Sequence, residues 1–67
     1  MQRSKRFMRP LRSDIHFYTA QMERSLIVVF AAGELVGSGR IEDITNESIK
    51  IRGDYYLRKT CIFKTAK

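Results

Sequence analysis

A single cysteine, Cys61, closes disulfide stabilisation to this 67-residue chain. With a single histidine, His16, the chain also falls short of the about four ligands that a structural zinc site takes. Long apolar runs are missing too. The longest, residues 26–32, is well below the roughly 20 residues of a membrane-spanning helix, and no secretory leader is legible. The chain therefore reads as soluble and cytoplasmic, with no membrane span. Acidic residues are absent from the first thirteen positions, where Arg3, Lys5, Arg6, Arg9 and Arg12 are all basic. From Asp14 onward eight basic residues face seven acidic ones, so almost the whole net charge of +6 sits in one short arm.

An arm of that kind seeks polyanions, because each Lys or Arg laid against a phosphate releases condensed counterions whatever the base sequence. We expect residues 1–9 to form a disordered basic arm and residues 10–67 a single helix-plus-small-barrel domain. A domain this small buries only roughly 60% of its unfolded surface, and with disulfides and zinc excluded, oligomerisation is the aid left to it.

Leu11, Ile15, Tyr18 and Met22 recur at intervals of four, three and four, which predicts one helix running to about position 24 with those residues as its buried stripe. Ser13 or Asp14 can cap its first free amides. Beyond Ser25 the pattern turns to β. Residues 26–30 form a β-branched and aromatic run suited to a central strand, and Ala32-Gly33-Glu34 turns into a second strand over residues 35–44. In that strand Gly37 and Gly39 remove side chains where a sheet bends or another segment approaches. Thr45-Asn46-Glu47 is the next turn. A third strand alternates Ile49 and Ile51 inward with Ser48, Lys50 and Arg52 outward, and Gly53-Asp54 signals a two-residue hairpin. Residues 55–58 and 61–64 supply two further short strands. The expected fold is mainly β with one N-terminal helix, either a small five-stranded SH3-like or Sm-like barrel or a strongly bent antiparallel sheet.

Catalysis has no support in this pattern. His16 has no carboxylate partner at a diagnostic spacing, and no nucleotide-cradling loop joins the glycines to a lysine and a helix start. Glu42 and Asp43 are neighbours, which in a strand directs them to opposite faces. The chain reads as a non-enzyme without metal or cofactor. Tyr55 and Tyr56 are adjacent in a strand, so one belongs to the core while the other can stack on a base beside Arg58 or Lys59.

The stretch from Ile27 to Thr65 resembles the Sm-like fold of the Hfq family of bacterial RNA chaperones. The matching features are a Val-Phe strand turning at a glycine, a second strand reading Leu35 through Gly37 and Gly39 to Ile41, an acidic Asp43 at the following bend, and a final basic-then-apolar strand. With the leading helix the resemblance covers about residues 11–65. In that family a lysine-histidine pair before the last strand helps line a pore for uridine-rich RNA. Here Lys59 fits the lysine and no histidine follows it. Other small SH3-like bacterial proteins, including the YolD-like group, share the same strand-glycine-strand-hairpin pattern.

Two functional classes follow. The first is a small regulatory or chaperone-like protein that binds nucleic acid, RNA or single strands favoured, as a homo-oligomer. Its contacts would be Arg3, Lys5, Arg6, Arg9, Arg12, Arg58 and Lys59 on phosphates and Tyr55 or Tyr56 on bases. The alternative is a protein-interaction or assembly module that buries Leu26, Val36 and the helix stripe against a partner.

Overall fold

The computed structural model describes residues 9–66. It is mainly β with one helix, in the order β1 (Pro10–Leu11), α1 (Asp14–Met22), β2 (Ile27–Ala31), β3 (Glu34–Gly39), β4 (Ile41–Ile44), β5 (Ser48–Ile51), β6 (Asp54–Leu57) and β7 (Cys61–Thr65). Two antiparallel sheets result, one ordered β1-β7-β2-β3 and the other β4-β5-β6. No helix among the described residues is long and apolar enough to cross a membrane.

Among the described residues the expected five strands are thus seven, and the two sheets do not close into a barrel. One addition is β1, whose Pro10 and Leu11 pair with Lys64 and Phe63 of β7. The other comes from the anticipated second strand, which breaks at Gly39-Arg40 so that its halves join different sheets. Gly39 has a φ of 148°, and a Cβ there would come within 2.6 Å of Arg52 Cγ and 2.9 Å of Ile51 Cγ2. A side-chain-free residue is needed both for the bend and for the packing.

The central strand is β2, as its β-branched run implies, hydrogen-bonded to β3 on one side and β7 on the other. A bulge opposite Val29 and Phe30 leaves Val36 unpaired. The two hairpin loops of two residues, β2–β3 and β5–β6, have positive φ at both positions, Ala32 (53°) with Gly33 (81°) and Arg52 (52°) with Gly53 (85°). That is the type I′ form whose twist matches the flanking strands. The second loop is therefore Arg52-Gly53 rather than Gly53-Asp54, and Asp54 opens β6 opposite Ile51.

The core is built from Phe17 and Ala20 of the helix with Ile27, Val29, Ile41, Ile49, Ile51 and Phe63 of the strands. Fully burying a side chain of this size contributes about 1.5–3 kcal/mol. Phe17 meets Phe63 edge to face, ring centroids 5.4 Å apart at 89°. The expected helix stripe is corrected here. Ile15, Tyr18 and Met22 are 70%, 53% and 78% exposed, and Leu11 lies in β1, packed against the core. The helix buries the face carrying Phe17 and Ala20 instead, where Phe17 packs edge to face on Phe63 of β7.

The helix is shorter than expected and capped at both ends. Ser13 occupies the N-cap position, and the His16 ring reaches back to it, its Nδ1 accepting from the Ser13 N–H at 3.5 Å and from the preceding Arg12 N–H at 3.1 Å. At the other end Ser25 N–H donates to Ala20 O (3.0 Å) and Arg24 N–H to Gln21 O (3.1 Å). With Arg24 at a φ of 56°, this is a Schellman motif in which arginine occupies the left-handed position that usually belongs to glycine.

Candidate nucleic-acid interface

The β5–β6 hairpin sorts the two tyrosines by strand alternation. Ile49 and Ile51 face the core, and Tyr56, opposite Ile49, packs against it, partly buried. Tyr55 is opposite Lys50 and points outward, 59% exposed. The Lys50 ammonium lies over the Tyr55 ring, 5.5 Å from its centroid, a cation–π pair on an open surface. Asp43 pairs with Lys50 on the far side, and its carboxylate accepts from the Ile44 amide at 3.0 Å.

Tyr56 is held in place by the other sheet. A Cβ on Gly37 would meet the Tyr56 hydroxyl and lie 2.8 Å from its Cζ, so the missing side chain of β3 is the seat of the Tyr56 ring. The glycine anticipated as a point of close approach receives a tyrosine side chain.

Arg58 has work within the fold. Its Nη2 donates to Asp14 Oδ1 at 2.7 Å, its Nη1 donates to the Thr45 carbonyl at 2.8 Å, and its guanidinium lies 4.7 Å from the centre of the Phe17 ring. The side chain is 17% exposed, so it joins the first turn of α1 to the β4–β5 turn. Its neighbour Lys59 lies exposed in the turn between β6 and β7.

Of the arm expected to be disordered over residues 1–9, Arg3, Lys5 and Arg6 lie outside the described residues, and at Arg9 the expectation is corrected, because its backbone is tied to the strand β7. Arg9 is paired through its backbone, its N–H donating to Thr65 Oγ1 (3.1 Å) and its carbonyl accepting from the Thr65 N–H (2.9 Å). Arg12 is exposed just before the helix. The structure thus brings Tyr55 beside Lys50 and keeps Tyr56 and Arg58 inside the fold's own packing. Lys50 was not among the contact residues expected from the sequence. Its signal lay in the hairpin register: with Arg52-Gly53 as the loop, Lys50 falls opposite Tyr55, whereas a loop one residue later breaks that pairing. No family model, curated protein or solved structure matches this chain.

Proposed function

We propose that this protein is a small regulatory or chaperone-like nucleic-acid-binding module that prefers single-stranded RNA. The observation that carries the reading is the outward Tyr55 with the Lys50 ammonium over its ring, on a strand whose following turn exposes Lys59. An exposed ring offers a stacking platform worth roughly 1–3 kcal/mol per base, and the flanking lysines and the basic arm supply phosphate contacts. A duplex is the poorer fit, because the one helix carries no basic face to lay in a groove: between Asp14 and Met22 it has no Lys or Arg.

The fold reading that accompanies it is a five-stranded SH3-like or Sm-like path, β7-β2-β3/β4-β5-β6, with β3 and β4 acting as one strand bent at Gly39. It is supported by the short Gly39-Arg40 join and by Tyr56 seated over Gly37. In this reading the free edge of β6 pairs with another copy, repeating a weak site about an axis and raising avidity.

The test is fluorescence polarisation of the protein against a single-stranded RNA pool and a duplex DNA pool, at low and near-physiological salt. It is repeated with Tyr55→Ala and with residues 1–8 removed. Truncation stops at residue 8 because Pro10 and Leu11 form β1. The expected result is RNA binding that survives physiological salt, falls roughly five- to a hundredfold with Tyr55→Ala, and weakens with a shallower salt slope on truncation. Equal RNA binding by wild type and Tyr55→Ala would sink the assignment.

The protein-interaction alternative also has an observation behind it. Ile15 and Met22 on the helix, Leu26 just before β2, and Leu35, Val36 and Ile62 on the β7-β2-β3 sheet are all exposed. A partner docked on these side chains would bind with little dependence on salt or on the arm, which separates the two readings.

A further inference from the structure

A groove of about 800 Å³ runs between α1, the start of β1 and Arg40 at the β3–β4 junction. Arg9, Arg24 and Arg40 line it, against one carboxylate, Glu23. The Arg40 side chain is tied to the end of the helix, its Nε donating to the Arg24 carbonyl at 3.0 Å. Arg24 itself holds the left-handed position of the helix C-terminus, φ 56°, where glycine is the unstrained residue. The chain thus places an arginine, where glycine would be less strained, on the wall of the groove.

The rest of the lining is not phosphate-like. Leu11, Ile15 and Leu26 give an apolar wall. His16 lines it as well, and because its Nδ1 accepts the Arg12 amide, the neutral ring carries its proton on Nε2 and has a donor to spare. A cluster of guanidinium groups beside an apolar wall and a flat ring suits a compact phosphate joined to a planar, partly apolar body, and the volume lies within the range of small-ligand sites. We infer that this groove binds a nucleoside phosphate, the phosphate on the arginines and the base on the apolar wall or a guanidinium plane. This site goes beyond the Tyr55 surface and shares only Arg9 with it, so either assignment can fail alone.

The experiment titrates the full chain with adenosine and uridine 5′-monophosphate while following amide and arginine side-chain NMR shifts. Inorganic phosphate, adenosine and dihexanoyl phosphatidic acid serve as parallel probes. Saturable nucleotide binding is expected, with shifts at Arg24, Arg40 and His16, at least roughly tenfold tighter than inorganic phosphate or adenosine alone. Arg24→Gly relieves the strained position, so it should melt no lower than wild type while binding nucleotide roughly tenfold or more weakly. Arg9→Gln keeps the backbone bonds to Thr65 and should weaken binding in the same direction. Unchanged affinity in a folded Arg24→Gly protein overturns the inference. So does binding of phosphatidic acid alone, or a set of shifts confined to Tyr55 and Lys50.

Discussion

A methyl group at position 37 has nowhere to go. It would press on the Tyr56 ring, 2.8 Å from Cζ, and the ring is itself packed against the core, so it can retreat only by loosening β6. Overpacking of this kind costs roughly 1–3 kcal/mol, and we expect Gly37→Ala to lower stability by that amount. Tyr56→Val, which removes the clashing atoms, should cost stability alone yet suppress most of the Gly37→Ala penalty in the double variant. Urea denaturation of the four proteins reads the coupling directly, and penalties that simply add would show that the two residues do not meet. Both glycines of β3 were legible in the sequence as positions kept free of side chains. Their occupants, Tyr56 and Arg52, were not, because a side chain arriving from another strand is set by register, and here the turn was read one residue late.

At the scale of elements, the helix has only nine residues and would be marginal alone. Phe17 against Phe63 supplies its apolar anchor, and Arg58 supplies the polar one, spanning Phe17, the Thr45 carbonyl and Asp14. These contacts are unequal. Asp14 is 66% exposed, so its ion pair is well solvated and worth under about 1 kcal/mol, while the Arg58 side chain is 17% exposed and contributes packing and a carbonyl bond as well. Arg58→Ala should therefore cost roughly 1–3 kcal/mol and Asp14→Asn distinctly less, measured as shifts in urea midpoint. Equal losses would mean that the ion pair accounts for the whole of what Arg58 contributes. The existence of the helix was legible from its spacing, but its buried face was not. The interval pattern of Leu11, Ile15, Tyr18 and Met22 is met equally well by an exposed stripe, and the choice was made by Phe63, more than forty positions away. The strands were easier, because the β-branched run of β2 and the alternation of β5 carry their own burial pattern: Ile27, Val29, Ile49 and Ile51 are all fully buried.

For the whole molecule the open question is what meets the strand edges that two unclosed sheets leave behind. The edge of β7 is partly covered, since β1 pairs only with Phe63 and Lys64 and leaves Cys61 and Ile62 beyond its reach. The edge of β6 has no strand beside it among the described residues. In a hairpin closed by a two-residue loop, the residues flanking the loop exchange both backbone bonds, which makes Ile51 and Asp54 such a pair and Ile49 and Tyr56 the next. The amides of Tyr55 and Leu57 therefore turn away from β5, toward an incoming strand. Leu57→Pro removes one of these outward donors without breaking the β5–β6 ladder, a substitution that an edge strand tolerates. If copies of this chain assemble through β6, sedimentation should show the wild type as a concentration-dependent oligomer and Leu57→Pro as a folded monomer with unchanged far-ultraviolet dichroism. RNA affinity should then fall with the loss of repeated sites, while the intrinsic strength of each Tyr55 contact stays the same. A wild type that sediments as a monomer at tens of micromolar would remove edge pairing from the account and leave a single Tyr55–Lys50 surface to bind alone.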